Sequence, residues 1–145
     1  MTQIIVALAA DHAGFSLKEK LKSEVESMNI KYIDLGTNNT DAVDYSDYGK
    51  KVAEVLVEGA VNRGVVICGT GIGISIAANR INSIRAAVCH DATTARLARL
   101  HNDANIISMG ARIIGSEVAK ECLRVFLSTP FEGGERHLRR IVKLG

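Results

Sequence analysis

Apolar positions along the chain fall into two alternating patterns. Short runs rich in valine and isoleucine occur at 4–10 (IIVALAA), 32–35 (YIDL), 65–68 (VVIC), 85–89 (RAAVC) and 105–109 (NIISM). Their length and β-branched content predict buried strands. Between them lie longer stretches with helical spacing. Residues 15–28 put Phe15, Leu17, Leu21 and Val25 on one side, with lysines and glutamates elsewhere. Residues 46–60 turn Val52, Val55 and Leu56 inward, and 72–80, 92–101 and 116–128 behave likewise. The single proline, Pro130, ends the fifth helix, because proline cannot continue one. FEGG at 131–134 reads as a hinge, and 135–144 as a short extra helix. Strand–helix repeated five times predicts an α/β fold: a three-layer α/β/α sandwich around a five-stranded parallel, Rossmann-like sheet. The crossovers should be right-handed. With no repeat, low-complexity stretch or linker, the expected organisation is one domain over residues 1–145.

Composition narrows the classes. Aromatic residues are scarce, at three Tyr, three Phe and no Trp, so the core must be mostly aliphatic. A formal net charge of +2 is too small to argue for nucleic acid as the main partner. Cys68, Cys89 and Cys122 form no CxxC pair, which points to a reducing compartment. IIVALAA lacks the basic lead of a signal peptide, and no apolar run is long enough to span a bilayer. The expectation is a soluble, cytoplasmic protein.

Chemistry in open parallel sheets sits beyond the C-terminal ends of strands, where strand order switches. After the first strand comes DHAG (11–14), after the third CGTGIG (68–73), after the fourth HD (90–91) and after the fifth GAR (110–112). CGTGIG is not a dinucleotide fingerprint, since residue 74 is Ile, and not a Walker loop, since no Lys-Ser or Lys-Thr follows. Alternating Gly69, Gly71 and Gly73 can still aim successive N–H groups at one anion, with the next helix adding its positive end; a plain strand-to-helix turn fits as well. A helix N-terminus favours the thiolate of a cysteine such as Cys68, although an isolated cysteine at a strand end is more often simply buried. Cys89 and Cys122 read as structural. Thr70 suits a proton relay or a helix cap. Asp11 and His12 suit proton handling or anion binding, or an N-cap. His101 ends a helix, where a cation is favoured, and His90-Asp91 reads as a turn and cap. Arg136 and Arg140, four residues apart, share a helix face and match phosphate oxygens.

DHAG, DYSDY (44–48), CGTGIGISIAANR (68–80), HNDAN (101–105), GAR and GGERHLRR (133–140), in this order over nearly the whole chain, closely resemble the ribose-5-phosphate isomerase B family. Its relatives include allose-6-phosphate and galactose-6-phosphate isomerases. The resemblance implies a reversible aldose–ketose conversion without metal or organic cofactor. It also implies a homodimer, sometimes paired into tetramers, with active sites shared between subunits. By matched position, Cys68 resembles the base that moves a proton between C2 and C1, and Thr70 the hydroxyl that assists transfer between sugar oxygens. The backbone from Gly69 through Gly71 and Gly73 to Ser75 resembles the anion hole. His101, helped by Asp11, resembles the ring-opening residue; Asn102 and Tyr45 line the sugar site. His12, Arg112, Arg136 and Arg140 resemble the phosphate clamp, with His101 and its surroundings coming from the partner subunit. Ala10, Ser46 and Glu135 depart from the usual pattern. Glu135 beside Arg136 leaves open whether Arg139 replaces Arg140. Cys68 itself argues against the galactose-6-phosphate subunits, which lack this thiol. Competing readings are a six-carbon sugar-phosphate isomerase, a non-catalytic sugar-phosphate sensor, and a thiol hydrolase built from Cys68 and His101.

Overall fold

The computed structural model describes residues 3–145. Five parallel strands, β1 (Ile5–Ala10), β2 (Lys31–Asp34), β3 (Arg63–Cys68), β4 (Ala86–Val88) and β5 (Ile106–Gly110), form one sheet in the order β2-β1-β3-β5-β4. The helices between and after them are α1 (Phe15–Ser27), α2 (Tyr45–Val57), α3 (Ile72–Asn79), α4 (Ala92–Asn102), α5 (Ser116–Ser128) and α6 (Glu135–Leu144). The expected strands and helices are all present, with bounds that match or shift by at most three residues.

Alternation along the strands sorts the core into two layers. Val6, Leu8, Ala10, Val65 and Ile67 face α1, α4 and α5; Ala7, Ala9, Val66 and Cys68 face α2 and α3. Side chains of a strand point alternately to opposite faces, so a continuous apolar run is what a sheet covered on both sides requires. The helices change face whenever the direction of strand progression reverses, as a constant hand of crossover demands. The route out of β1 leads to β2 through α1, and the route out of β3 leads the other way through α3. A crevice therefore opens between the C-terminal ends of these adjacent strands.

Two cations lie inside the protein. Lys18 is fully buried, although the lysines of α1 were expected to face water. It shares the i, i+3, i+7 row with Leu21 and Val25, so it lies on the inner face. Its ammonium is paired with both oxygens of Asp34 at 2.8 and 2.7 Å. Arg99 is also buried, in the row of Ala95 and Ala98. Its Nη1 donates to Asp103 Oδ1 and the Ala104 carbonyl, both at 2.7 Å, and its Nε to the Thr129 carbonyl at 3.0 Å. It thus ties the end of α4 to the segment leading into α6. No residue of α6 is buried, and Leu138, Val142 and Leu144 are exposed. Among the described residues, no helix is long and apolar enough to cross a membrane.

Candidate active site

The crevice contains a cavity of about 370 Å³ whose lining includes Asp11, His12, Tyr45, Cys68, Thr70 and Arg112. Three strand ends build it. The Asp11 N–H donates to the Ile67 carbonyl, joining the loop after β1 to β3. Ala111 and Arg112 N–H groups donate to the carbonyls of Cys68 and Gly69 at 2.9 and 3.0 Å. The loop after β5 is thereby stitched to the loop after β3, which sets the Arg112 guanidinium beside Gly69.

Cys68 is only 4% exposed, yet it lines the cavity. Its Sγ accepts a hydrogen bond from the Gly71 N–H at 3.1 Å. Gly71 caps α3 with φ of 76°, a conformation costly for residues with a Cβ. A methyl group there would sit 2.8 Å from the Met109 carbonyl carbon. Ser108 Oγ donates to the Gly71 carbonyl at 2.6 Å, so the peptide groups before and after Gly71 are both fixed. Gly73 is required for a different reason: an added Cβ would lie 2.5 Å from Tyr45 Cε1. The bare backbone lets the tyrosine ring close over the loop.

The first four N–H groups of a helix have no intrahelical acceptor. In α3 the Gly71 N–H is used by Cys68 Sγ and the Ile72 N–H by Thr70 Oγ1 at 3.2 Å. Among the described residues, those of Gly73 and Ile74 have no partner. Thr70, one residue before the Gly71 N-cap, satisfies the first helical N–H while its exposed side chain also borders the cavity. The Ser75 hydroxyl donates to the Ile72 carbonyl at 2.7 Å, a bond that leaves its backbone N–H, the group expected at the anion hole, untouched.

Asp11 Oδ1 accepts from the Gly14 N–H at 3.1 Å, which closes the turn ahead of α1; the N-cap itself is Gly14, not Asp11 as weighed from sequence. His12 Nδ1 accepts from the Val43 N–H at 3.2 Å. A neutral imidazole accepting at one nitrogen carries its proton on the other, so His12 offers Nε2–H as a donor. His90 Nε2 accepts from the Gly110 N–H at 2.9 Å, and Asp91 Oδ1 caps α4 through Thr94 at 2.6 Å; both act in the scaffold. Burial pushes the Cys89 and Cys122 thiols up to about 11, consistent with inert structural roles.

His101, Asn102, Arg136 and Arg140 are not in this cavity. Helix α4 starts at the C-terminal end of β4 and runs back across the sheet, so its last residues reach the opposite rim. Its 11 residues span about 16 Å. Asn102 and Asp103 carbonyls accept from Arg85 Nε, and Arg85 immediately precedes β4. The Glu132 N–H donates to the Leu100 carbonyl at 3.2 Å, which starts α6 from that same rim. Arg136, Arg139 and Arg140 are all exposed there. The Cys68–His101 pairing needed for a one-chain thiol hydrolase is therefore not formed. His101 instead stacks on His137, with ring centroids 4.6 Å apart, an interaction that single-residue motif reading could not find.

The family model for Ribose/Galactose Isomerase matches residues 6–144. A putative sugar phosphate isomerase of Bacillus subtilis is 46% identical over 140 residues, covering 96% of this chain and 93% of that protein. Ribose-5-phosphate isomerase B of Escherichia coli is 41% identical over 136 residues, covering 94% and 91%. Among solved structures, ribose-5-phosphate isomerase B of Clostridium thermocellum superimposes with a TM-score of 0.96 at 44% identity, covering 98% of this chain and 95% of that one.

Proposed function

The chain belongs to the ribose/galactose isomerase family, and on that premise we propose that it interconverts ribose 5-phosphate and ribulose 5-phosphate with Cys68 as the base. The observation that carries this reading is the placement of Cys68: a thiol at the rim of β3, in hydrogen-bond contact with a helix N-terminal amide and lining a cavity with His12 and Arg112. The sulfur, as thiolate, removes the proton from C2 of the open-chain aldose. The C2–H electrons form a C1=C2 double bond, and negative charge moves onto O1. Preorganised amides stabilise such charge most where water is excluded, and the unpartnered N–H groups at the start of α3 suit that task. A proton passes from O2 to O1 with help from Thr70. The Cys68 thiol then returns its proton to C1 as C2 becomes the carbonyl.

Phosphate recognition falls to Arg112 and the His12 Nε2–H on this rim. Because the phosphate takes no part in bond making, its binding energy serves to hold C1 and C2 near the sulfur. Asp11 and Tyr45 border the sugar. The remaining groups, His101 for ring opening, Asn102 for the sugar and Arg136 with Arg140 for phosphate, lie on the far rim of the same chain. Their position supports a homodimer in which the far rim of one subunit completes the cavity of the other. Three unpaired cysteines support a cytoplasmic location.

Pure protein should form ribulose 5-phosphate from ribose 5-phosphate in the presence of a chelator, and Cys68→Ser should abolish turnover while sugar-phosphate binding persists. Near-normal kcat in Cys68→Ser would refute the assignment. Mixing Cys68→Ser with His101→Ala subunits tests site sharing. Half of the randomly paired dimers are mixed and each holds one whole site, so about a quarter of wild-type activity should return. No recovery after verified subunit exchange would sink the shared site.

A further inference from the structure

We propose that His101, Glu132 and His137 form a binding site for a divalent cation of the zinc type, and that its occupancy switches the isomerase off. Three separate segments supply the ligands: the end of α4, the linker after α5, and α6. His101 Nε2 lies 3.9 Å and His137 Nε2 3.6 Å from the same oxygen, Glu132 Oε2. All three ligand atoms lie within 4.8 Å of one another. Donors around one tetrahedral zinc, each about 2.0–2.1 Å from the ion, are about 3.3 Å apart. Closing onto a cation thus asks the carboxylate to move by only a few tenths of an ångström.

The rings must move further. They stack with planes 13° apart, so they have to tilt until both Nε2 atoms point at a common centre. Their surroundings permit it, since the side chains of His101, Glu132 and His137 are 43%, 54% and 16% exposed. The framework behind them is firm. The Glu132 N–H is bonded to the Leu100 carbonyl, next to His101, and buried Arg99 clamps the same junction through the Thr129 carbonyl. Two imidazoles and one carboxylate, without thiolate, form a donor set suited to zinc and its neighbours and not to magnesium or calcium. A water molecule would take the fourth position.

The inhibitory consequence rests on the functional reading above. A cation on His101 Nε2 occupies the lone pair that ring opening uses, so the subunit that depends on this His101 loses its acid–base group. The site itself does not depend on that reading.

The test uses full-length protein stripped of metal and dialysed against zinc chloride, with bound zinc measured by elemental analysis. Wild type should bind one zinc per chain, and His137→Ala and Glu132→Gln should each bind more than about tenfold more weakly. Zinc should inhibit ribose 5-phosphate turnover by wild type, and a chelator should restore it. The inhibition midpoint should rise by the same factor in both variants, each measured against its own zinc-free rate. Cobalt should bind without a thiolate-to-metal charge-transfer band. Equal zinc binding by wild type and both variants, or a cobalt–thiolate band marking Cys68 as the ligand, would overturn the proposal. Variant-sensitive zinc binding in a protein that turns over no sugar phosphate would uphold the site and sink the isomerase reading instead.

Discussion

Gly71→Ala tests whether the loop after β3 is shaped to hold an amide against the Cys68 sulfur. Gly71 has φ of 76°, and an L-residue there costs about 1–2 kcal/mol in backbone energy. The new methyl group would also lie 2.8 Å from Met109 C, 3.0 Å from Met109 O and 3.0 Å from Gly110 N. All three are backbone atoms of β5, a strand paired on both sides, so they cannot yield cheaply. Overpacking of this kind costs about 1–3 kcal/mol. The sum is about 2–5 kcal/mol, or a Tm lower by about 5–15 °C for a domain of this size. Gly59→Ala is the matched control. Its φ is 86°, but an added Cβ meets nothing within 4 Å, so only the backbone cost applies, about 1 kcal/mol after the entropy gained by restricting the unfolded chain. The methyl group also pushes the Gly71 N–H away from Sγ. A hydrogen bond to a charged group is worth about 1.5–3 kcal/mol; weakening this one to the sulfur should cost about tenfold in kcat. Calorimetry on both variants, and steady-state kinetics at a temperature where both are folded, give the answer. If Gly71→Ala matched Gly59→Ala in Tm and kept wild-type kcat, the loop would not be doing what its geometry implies.

Three further outcomes follow from the same structure. Iodoacetamide near neutral pH should add one label per chain, at Cys68. Burial holds Cys89 and Cys122 up to about 11, so peptide mapping that found either labelled first in native protein would contradict their structural assignment. Burial alone would raise the Asp34 carboxyl, but hydrogen bonds from Lys18 and Lys22 outweigh it and hold it below its ordinary value. A depressed carboxyl contributes stability that is fully present above its unfolded value and lost as pH falls through the folded one. Denaturant melts at falling acid pH should therefore show a loss that Asp34→Asn lacks, and parallel pH profiles would refute the linkage. Arg136→Ala should chiefly raise KM for ribose 5-phosphate, whereas an unchanged KM would move the phosphate contact to Arg139 or Arg140.

The strand runs and glycine punctuation made the fold legible, since a five-fold strand–helix alternation has few packing solutions. The near half of the site was legible for a related reason. Asp11 follows β1, Cys68 ends β3 and Arg112 lies two residues past β5, and strand ends converge at one rim. Buried Lys18 escaped notice because the lysines of α1 were read as a surface signal, although it fits the inward row of its helix. The His101–His137 stack depends on how a linker folds back onto α4, and no periodic pattern encodes that. Motif order along the chain joined His101 to Cys68, while topology separates them by the length of a helix.

That separation bears on how the protein behaves when scarce. On the shared-site reading, a solitary chain holds the sulfur but not the imidazole that serves it. Specific activity should then fall on dilution once subunits come apart, and the rate at low protein should grow with the square of its concentration.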